Sequence, residues 1–458
     1  MKNLSPAPEP NRVLRKLALY GLIGLVSCYV LVVAAGYSWL RYARKNTSVS
    51  VVDVALFRVT AVRRSIAAQQ FAKAKEAWEA KNYQAAFLAY SFAVQQDPAN
   101  IPGRLEAADF LRTIGADKLA IVQLEVGLTR TPQDQRLIKK TFDALTGAGR
   151  DRQALELLHR LYGEKLAGEQ GPMLQNFKVL ATLNAEGGEA AKKLLANFPE
   201  LAGYPPAIPV IARIYRETAE RLKASDLLEK YIVSQPARME DYALLATWQE
   251  ADGRPDRAME TARLSWAKFP KDLTARVLLL EMTAVNSVAA IPAQSDIESY
   301  LHDFADRPEV ITQLATLCGR KGWMAQARTL YELGAVRQSD IGLLALAFGD
   351  ALVRNNRIRE AAEILGHIEA QSAEASPAFL VQLRLRQVVV AAALRQSEEV
   401  REYARRLAVA MRNDTEAIER SRKYFQKVGI PEAVAELSER PVKVRAVPVK
   451  SEKPPVKS

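Results

Sequence analysis

The sequence predicts an all-α protein, built as a solenoid of helix hairpins that follows one N-terminal transmembrane helix. Two observations lead to this fold class. Small residues and prolines recur at intervals of 34 residues through most of the 458-residue chain, and a run of 24 uncharged, mostly apolar residues lies near its start. A fixed period of this length is typical of stacked helical repeats, and an apolar run of this length is typical of a membrane span.

The composition excludes several other classes of protein. Hydrophobic residues make up 49% and charged residues 25%, as in ordinary folded proteins. Two cysteines cannot form a disulfide framework, and three histidines argue against a multi-histidine metal site. Most of the net charge of +12 lies at the chain ends, with +6 in residues 1–45 and +5 in residues 440–458. A nucleic-acid binder carries its excess charge on a folded face, so we expect no nucleic-acid partner.

The uncharged run, residues 17–40, is predicted to be a transmembrane helix that follows a short basic tail, residues 1–16. Basic residues flank it on both sides: Arg12, Arg15, Lys16, Arg41, Arg44 and Lys45. A cleaved signal peptide and a buried soluble helix are the alternatives. The run exceeds the apolar core of about 7–15 residues that signal peptides have, which favours a retained anchor.

The short N-terminal tail also suggests an orientation. A short N-terminus that stays in the cytoplasm is the simpler insertion, although basic residues on both flanks weaken the charge signal. We therefore expect a single-pass protein of a bacterial inner membrane, with residues after about 45 on the non-cytoplasmic side.

The 34-residue interval separates alanines that each lie near the start of an apolar helical stretch. These alanines form the series Ala86, Ala120 and Ala154, and the pairs Ala224 and Ala258, and Ala327 and Ala361. Two pairs of prolines repeat the interval at the ends of the units: Pro98 and Pro132, and Pro236 and Pro270. The small residues allow two helices to approach closely, and each proline prevents its helix from continuing.

The local pattern around these residues resembles the tetratricopeptide repeat (TPR) family. The segment Lys81 to Ala86, followed by Tyr90, Ala93 and Asp97-Pro98, is similar to the turn, second helix and closing proline of such a unit. The segment Gly253 to Ala258 is similar, and shorter matches lie at Gly115 to Ala120, Gly149 to Ala154, Gly322 to Ala327 and Asn356 to Ala361. The resemblance implies a right-handed superhelix whose first helices line a peptide-binding groove.

The repeat divides the chain into predicted segments. A juxtamembrane linker occupies 41–66 and the solenoid 67–410, with degenerate units near 169–204, 273–307 and 376–410; capping helices occupy 411–439 and a disordered Pro/Lys tail 440–458. The clear units are 67–100, 101–134, 135–168, 205–238, 239–272, 308–341 and 342–375. Residues Val49 to Val62 are β-branched enough for a strand, and a juxtamembrane helix is the alternative.

No catalytic constellation emerges, so the sequence predicts no catalytic, cofactor-binding or metal-binding residues. Phosphate-binding loops, nucleophile elbows, zinc-binding helices and paired C-x-x-C motifs do not occur in the sequence. His159, His302 and His367 are far apart, and Cys318 is expected to be a small core residue. The tryptophans at repeat positions are expected to pack between helices.

The resemblance implies a groove along the first helices, and the repeat period maps nine residues onto it. They are Lys75, Trp78, Asp109, Arg112, Arg136, Lys139, Asp143, Arg213 and Arg216. Arg213 and Arg216 lie at spacing i, i+3 and suit a carboxylate-bearing segment. The alternative is that both pair with the nearby Glu217 and Glu220. One TPR subtype holds C-terminal carboxylates in a clamp, but Phe71, Lys75 and Glu106 depart from its pattern.

These observations favour a non-enzymatic, membrane-anchored scaffold or adaptor that binds proteins or peptides during assembly of an envelope complex. A component of a polysaccharide or protein export machine is an alternative that differs in its partner. A solenoid hydrolase of the cell wall is an alternative of another class, but the repeats leave no segment long enough for a catalytic module.

Overall fold

A computed structural model describes residues 10–43, 50–164, 166, 168–287, 291–305, 307, 309–336, 340–371, 375–411 and 414–438. These residues form 24 α-helices with no strand among them, so the predicted all-α fold class is confirmed. The predicted tail, 440–458, lies outside the described residues, as does most of the N-terminal tail. Contacts between Cα atoms divide the chain into two compact units, with unit 1 ending at Phe177 and unit 2 beginning at Lys178.

Unit 1 begins with the apolar helix. Helix α1 spans Pro10–Ser38 and continues as a π-helical turn over Trp39–Ala43. The segment Leu17–Tyr42 is long and apolar enough to cross a membrane, a property that signal sequences share. A short helix, α2 (Val51–Ala55), packs beside α1. Since α2 and α3 are helical, the strand considered for Val49 to Val62 is wrong for the described residues 50–62.

The rest of unit 1 consists of successive helix hairpins. Its helices are α3 (Val59–Glu79), α4 (Tyr83–Gln96), α5 (Ile101–Thr113), α6 (Asp117–Arg130), α7 (Gln135–Gly147) and α8 (Asp151–Tyr162). Helix α9 (Gly171–Glu186) contains the boundary between the units. Because only three residues separate the helices of each pair, neighbouring helices run antiparallel.

Unit 2 continues the same arrangement after α9. Its helices are α10 (Gly188–Leu195), α11 (Ile208–Glu217), α12 (Arg221–Ser234), α13 (Met239–Ala251), α14 (Pro255–Lys268), α15 (Leu273–Val285), α16 (Gln294–Asp303), α17 (Glu309–Lys321), α18 (Met324–Val336), α19 (Ile341–Arg354), α20 (Ile358–Gln371), α21 (Pro377–Ala393), α22 (Ser397–Ala410), α23 (Thr415–Val428) and α24 (Pro431–Ser438). Two short 3₁₀ turns, Pro199–Gly203 and Pro205–Ala207, precede α11. Pro205 and Pro206 therefore lie before α11, and only Pro209 is in its first turn.

The core lies between the helices of the hairpins. The repeat alanines Ala86, Ala120 and Ala258 are fully buried, and Tyr90 and Leu124 are buried on the same helices as Ala86 and Ala120. Close packing also explains Gly319 in α17, since a Cβ there would meet the backbone carbonyl of Ala347 in α19. The first helices can therefore stack tightly and present their remaining faces as a continuous surface within each unit.

Candidate functional site

The first helix of each hairpin carries the residues that the sequence assigned to a groove. In unit 1, Lys75 is exposed on α3, whereas Trp78 packs edge-on against Tyr90 and Phe110, with ring centroids 6.3 and 5.6 Å away. The indole therefore contributes to the packing of the first two hairpins. A ligand would reach the exposed edge of Trp78 at most.

The charged groove residues of unit 1 are neutralised mainly by near neighbours. Asp109 on α5 forms an ion pair with Lys140 on α7, with an Nζ–Oδ1 distance of 2.6 Å, and this pair joins two successive first helices. Arg112 lies 3.7 Å from Asp117 and Arg136 lies 3.1 Å from Asp134. Lys139 and Asp143 are exposed on the same helix as Arg136. This surface is polar and of mixed sign.

In unit 2, the two arginines of α11 are already engaged. Arg213 donates to the Asn184 side chain at 2.9 Å. Arg216 donates to Oδ2 of Asp252 at 2.6 Å, and its guanidinium lies 5.5 Å from the ring centroid of Trp248. The sequence alternative, pairing with Glu217 and Glu220, is wrong for Arg216 because its partner is Asp252 at the end of α13. A ligand carboxylate at this position would compete with Asp252.

A second ion-pair network joins the C-terminal ends of α13, α15 and α17. Lys321 binds Glu250 and Glu281, each at 2.9 Å, and Arg320 binds Glu281 at 2.6 Å. Burial lowers the pKa of Lys321, but hydrogen bonds from Lys321 to the two glutamates raise it, and the net pKa is raised. The middle of this surface is thus a set of satisfied pairs that hold successive first helices together.

Further along unit 2, the first helices are the main lining of an open cavity of about 690 Å³. Helices α19, α21 and α23 supply most of its wall, and we name it the C-terminal groove. It is lined by Arg320, Gly349, Asp350, Val353, Arg354, Leu365, Val381, Gln382, Leu385, Arg386, Val389, Met411, Ala417, Arg420, Ser421 and Tyr424. Four arginines and a single aspartate therefore border a largely aliphatic floor.

The arginines of this groove differ in how they are held. Arg386 binds Asp350 bidentately, with Nε–Oδ1 and Nη2–Oδ2 distances of 2.9 and 2.8 Å, and also donates to Gln382. Arg354 is exposed at the rim and forms no ion pair with any described residue. Arg354 thus carries a charge that an anionic group on a ligand could neutralise, whereas the charge of Arg386 is neutralised by Asp350.

The sequence reasoning did not identify the C-terminal groove, although a signal for it exists. Arg320 and Arg354 are 34 residues apart, and so are Arg386 and Arg420. The repeat period therefore places each pair at equivalent positions of successive first helices. The interval of 34 residues therefore separates arginines as well as alanines and prolines, and these arginines mark the C-terminal groove in the sequence.

Buried titratable groups elsewhere have structural partners. Asp241 caps α13 by accepting from the backbone N–H of Arg238 at 2.9 Å, and burial raises its pKa. Burial also raises the pKa of the Cys318 thiol, to about 12, so it stays protonated at neutral pH. Within the described part of the chain, no group of three or more His, Cys, Asp or Glu side chains is placed to hold a metal ion.

No protein-family model and no curated protein matches the chain. Solved structures with a similar arrangement include yeast Tom70, at 13% identity over 81% of this chain and 94% of that one, with a TM-score of 0.35. They also include the MamA protein, at 16% identity over 45% of this chain and 93% of that one, with a TM-score of 0.28. The TPR domain of P58(IPK) matches at 13% identity over 72% of this chain and 99% of that one, with a TM-score of 0.23. At these scores the repeated hairpins of the chain itself, rather than the neighbours, define its TPR-like fold.

Proposed function

We propose that this protein is a non-enzymatic scaffold that binds a partner protein through the first-helix surface of unit 2. The C-terminal groove is its main docking site, and it takes an extended segment that carries carboxylates together with apolar side chains. The observation that carries this proposal is the combination, in one cavity, of an aliphatic floor with arginines spaced at the repeat interval.

The two parts of the groove have different roles in recognition. Burial of apolar partner side chains against residues such as Val381, Leu385 and Val389 supplies most of the favourable free energy. The arginines give the choice of partner, because a guanidinium binds a carboxylate with directed, charge-assisted hydrogen bonds. Arg386 is already paired with Asp350, so a ligand carboxylate there would compete with Asp350, and Arg354 is the arginine that receives the carboxylate.

Fluorescence anisotropy with labelled peptides tests this site. Peptides that combine glutamates with leucines should bind, and peptides with lysines in place of the glutamates should not. Arg354→Glu should weaken binding by about tenfold or more, because an attractive charged contact becomes a repulsive one. Arg359→Glu is the matched control, since Arg359 is exposed on α20 and does not line the groove. Equal affinities for both variants would exclude the C-terminal groove.

We further infer that α1 tethers this scaffold to a membrane, with the hairpins on the non-cytoplasmic side. The length and apolar composition of Leu17–Tyr42 support the tether, and the short basic N-terminus supports the orientation. In that position the scaffold would assemble an envelope complex; an export machine for polysaccharide or protein would use the same groove for a different partner.

A further inference from the structure

One acidic side chain lies among the arginines of the C-terminal groove. Among the described residues that line this groove, Asp350 alone is acidic. Two arginines of the lining are close to it along the fold: Arg354, four residues later on α19, and Arg386 on α21. An acidic and a basic residue at spacing i, i+4 ordinarily pair on a helix. Asp350 instead binds Arg386 of the next first helix, and Arg354 is left exposed without an ion pair to any described residue.

The pair of Asp350 and Arg386 uses the whole guanidinium group. Its Nε and Nη2 atoms donate to the two carboxylate oxygens of Asp350 at 2.9 and 2.8 Å. The third nitrogen, Nη1, donates to Oε1 and to the backbone carbonyl oxygen of Gln382 at 2.9 and 3.1 Å. All three nitrogens of Arg386 therefore already donate within the chain. A ligand carboxylate can form a bidentate bond with Arg386 only by displacing Asp350.

Arg320 is neutralised in a different way. Its partner at 2.6 Å is Glu281, which does not line the groove, is only 8% exposed and is also bound by Lys321. That pair belongs to the network that joins the first helices. The Asp350 and Arg386 side chains line the groove itself and are 36 and 27% exposed, so a bound segment comes close to both charges.

The position of Asp350 affects any ligand carboxylate beyond the first. The Cβ atoms of residues at i, i+4 on a helix are about 6 Å apart, so a carboxylate held by Arg354 lies near Asp350. In an extended segment, alternate side chains point to the same side at a spacing of about 7 Å. A second acidic residue two positions away would thus approach Arg386 and meet the charge of Asp350. Like charges brought together in this way select against a ligand.

We propose that Asp350 is a specificity-determining residue of the C-terminal groove. By binding Arg386, it leaves Arg354 to receive one carboxylate and denies the ligand a second one beside it. The preferred partner segment therefore combines a single acidic residue at this point with apolar neighbours. This inference rests on the proposed function of the groove and specifies which acidic segments the groove takes.

Fluorescence anisotropy with the full chain in nanodiscs tests the proposal. The probes are leucine-containing peptides that are identical except at one motif, which is Glu-x-Glu, Glu-x-Gln or Gln-x-Glu. The wild-type protein should bind the doubly acidic peptide no more tightly than the better of the two singly acidic ones. Asp350→Ala should bind the doubly acidic peptide about tenfold more tightly than either, because the released guanidinium of Arg386 forms charge-assisted hydrogen bonds with the second carboxylate.

Two controls separate this effect from a general change in charge. Asp350→Ala/Arg386→Gln should lose the preference for two carboxylates. Glu363→Ala removes one negative charge at an exposed position of α20 outside the groove lining and should not create the preference. A gain in affinity also cannot result from a variant that fails to fold.

Three results would overturn the role of Asp350: the same ratio of affinities in wild type and Asp350→Ala, a gain that persists in the double variant, or a gain in Glu363→Ala. If the singly acidic peptides bind while this ratio stays unchanged, the role of Asp350 fails and the docking site remains. If none of the peptides binds to wild type or to Asp350→Ala, the docking site in the C-terminal groove fails together with it.

Discussion

At the scale of single residues, Arg216 forms its ion pair with Asp252 of the next hairpin and not with a glutamate close to it in sequence. Local spacing made Glu217 and Glu220 the nearest candidates for Arg216, but Glu220 binds Lys192 and Lys223. Arg216 reaches across to the next hairpin, where Asp252 follows the last turn of α13. The side chains of Arg216 and Asp252 are only 16 and 10% exposed, so solvent screens this pair less than it screens a surface pair.

Asp252→Asn should therefore lower the free energy of unfolding at pH 7 by about 1–3 kcal/mol, because a charged hydrogen bond is lost. The hydrogen bond from Arg216 outweighs burial and holds the pKa of Asp252 below its usual value. A carboxylate with a lowered pKa stabilises the fold above its unfolded pKa of about 3.9, and this contribution disappears as the pH falls through the lower folded pKa.

Urea unfolding of both proteins, measured from pH 7 down to pH 3, checks this prediction. The difference between wild type and Asp252→Asn should shrink below about pH 4. Asp256→Asn, at an exposed position of α14, is the control and should show almost no loss. A constant difference across the whole pH range would show that the ion pair is not responsible.

At the scale of the elements, most hairpin turns among the described residues share a positive φ at the same position, whatever residue occupies it. Two residues before the second helix, φ is positive at Gly115, Gly149, Gly253 and Gly322, as it is at Lys81, Ala219, Asn356 and Arg395. At the glycines this conformation has no steric cost, because glycine lacks a Cβ. The non-glycine positions show that the packing of the two helices imposes the conformation.

Exchanges at equivalent turns should change stability in opposite directions. Ala219→Gly should stabilise the protein and Gly253→Ala should destabilise it, each by about 1 kcal/mol, because a side chain at positive φ is strained. Gly366→Ala is the control: this glycine lies within α20 and a Cβ there meets nothing within 4 Å. It should stabilise by up to about 1 kcal/mol through helix propensity alone.

Thermal midpoints of the three variants, measured side by side, decide the question. If Ala219→Gly and Gly253→Ala both lower the midpoint, strain at positive φ does not determine the stability of these turns.

At the scale of the whole molecule, the charge distribution and the apolar helix bear on location. The basic excess lies at the two chain ends, while the long repeat region between them is nearly neutral. Most apolar side chains of the apolar helix are exposed, whereas Val33 and Leu40 are buried. A hydrophobic surface of this size is stable only when lipid or protein covers it.

Carbonate extraction of cell membranes should leave the full chain in the pellet, whereas a chain that lacks residues 1–43 should be released.

Protease added to intact spheroplasts should degrade the hairpins if they face the non-cytoplasmic side. Protection until the membrane is breached would reverse the orientation, and release of the full chain by carbonate would contradict the membrane span.

By itself, the sequence determined the all-α fold class, the interval of the hairpins and the apolar helix. These depend on local chemistry: alanines and prolines at a fixed period, glycines at turns, and an uncharged run are visible without any contact information. The tertiary structure decided the partner of Arg216, the three-helix network around Lys321, and the C-terminal groove. Each of these joins residues more than 30 positions apart in sequence, such as Arg216 and Asp252, 36 apart, and Lys321 and Glu250, 71 apart. The side-chain geometry between stacked helices determines which of these charges meet.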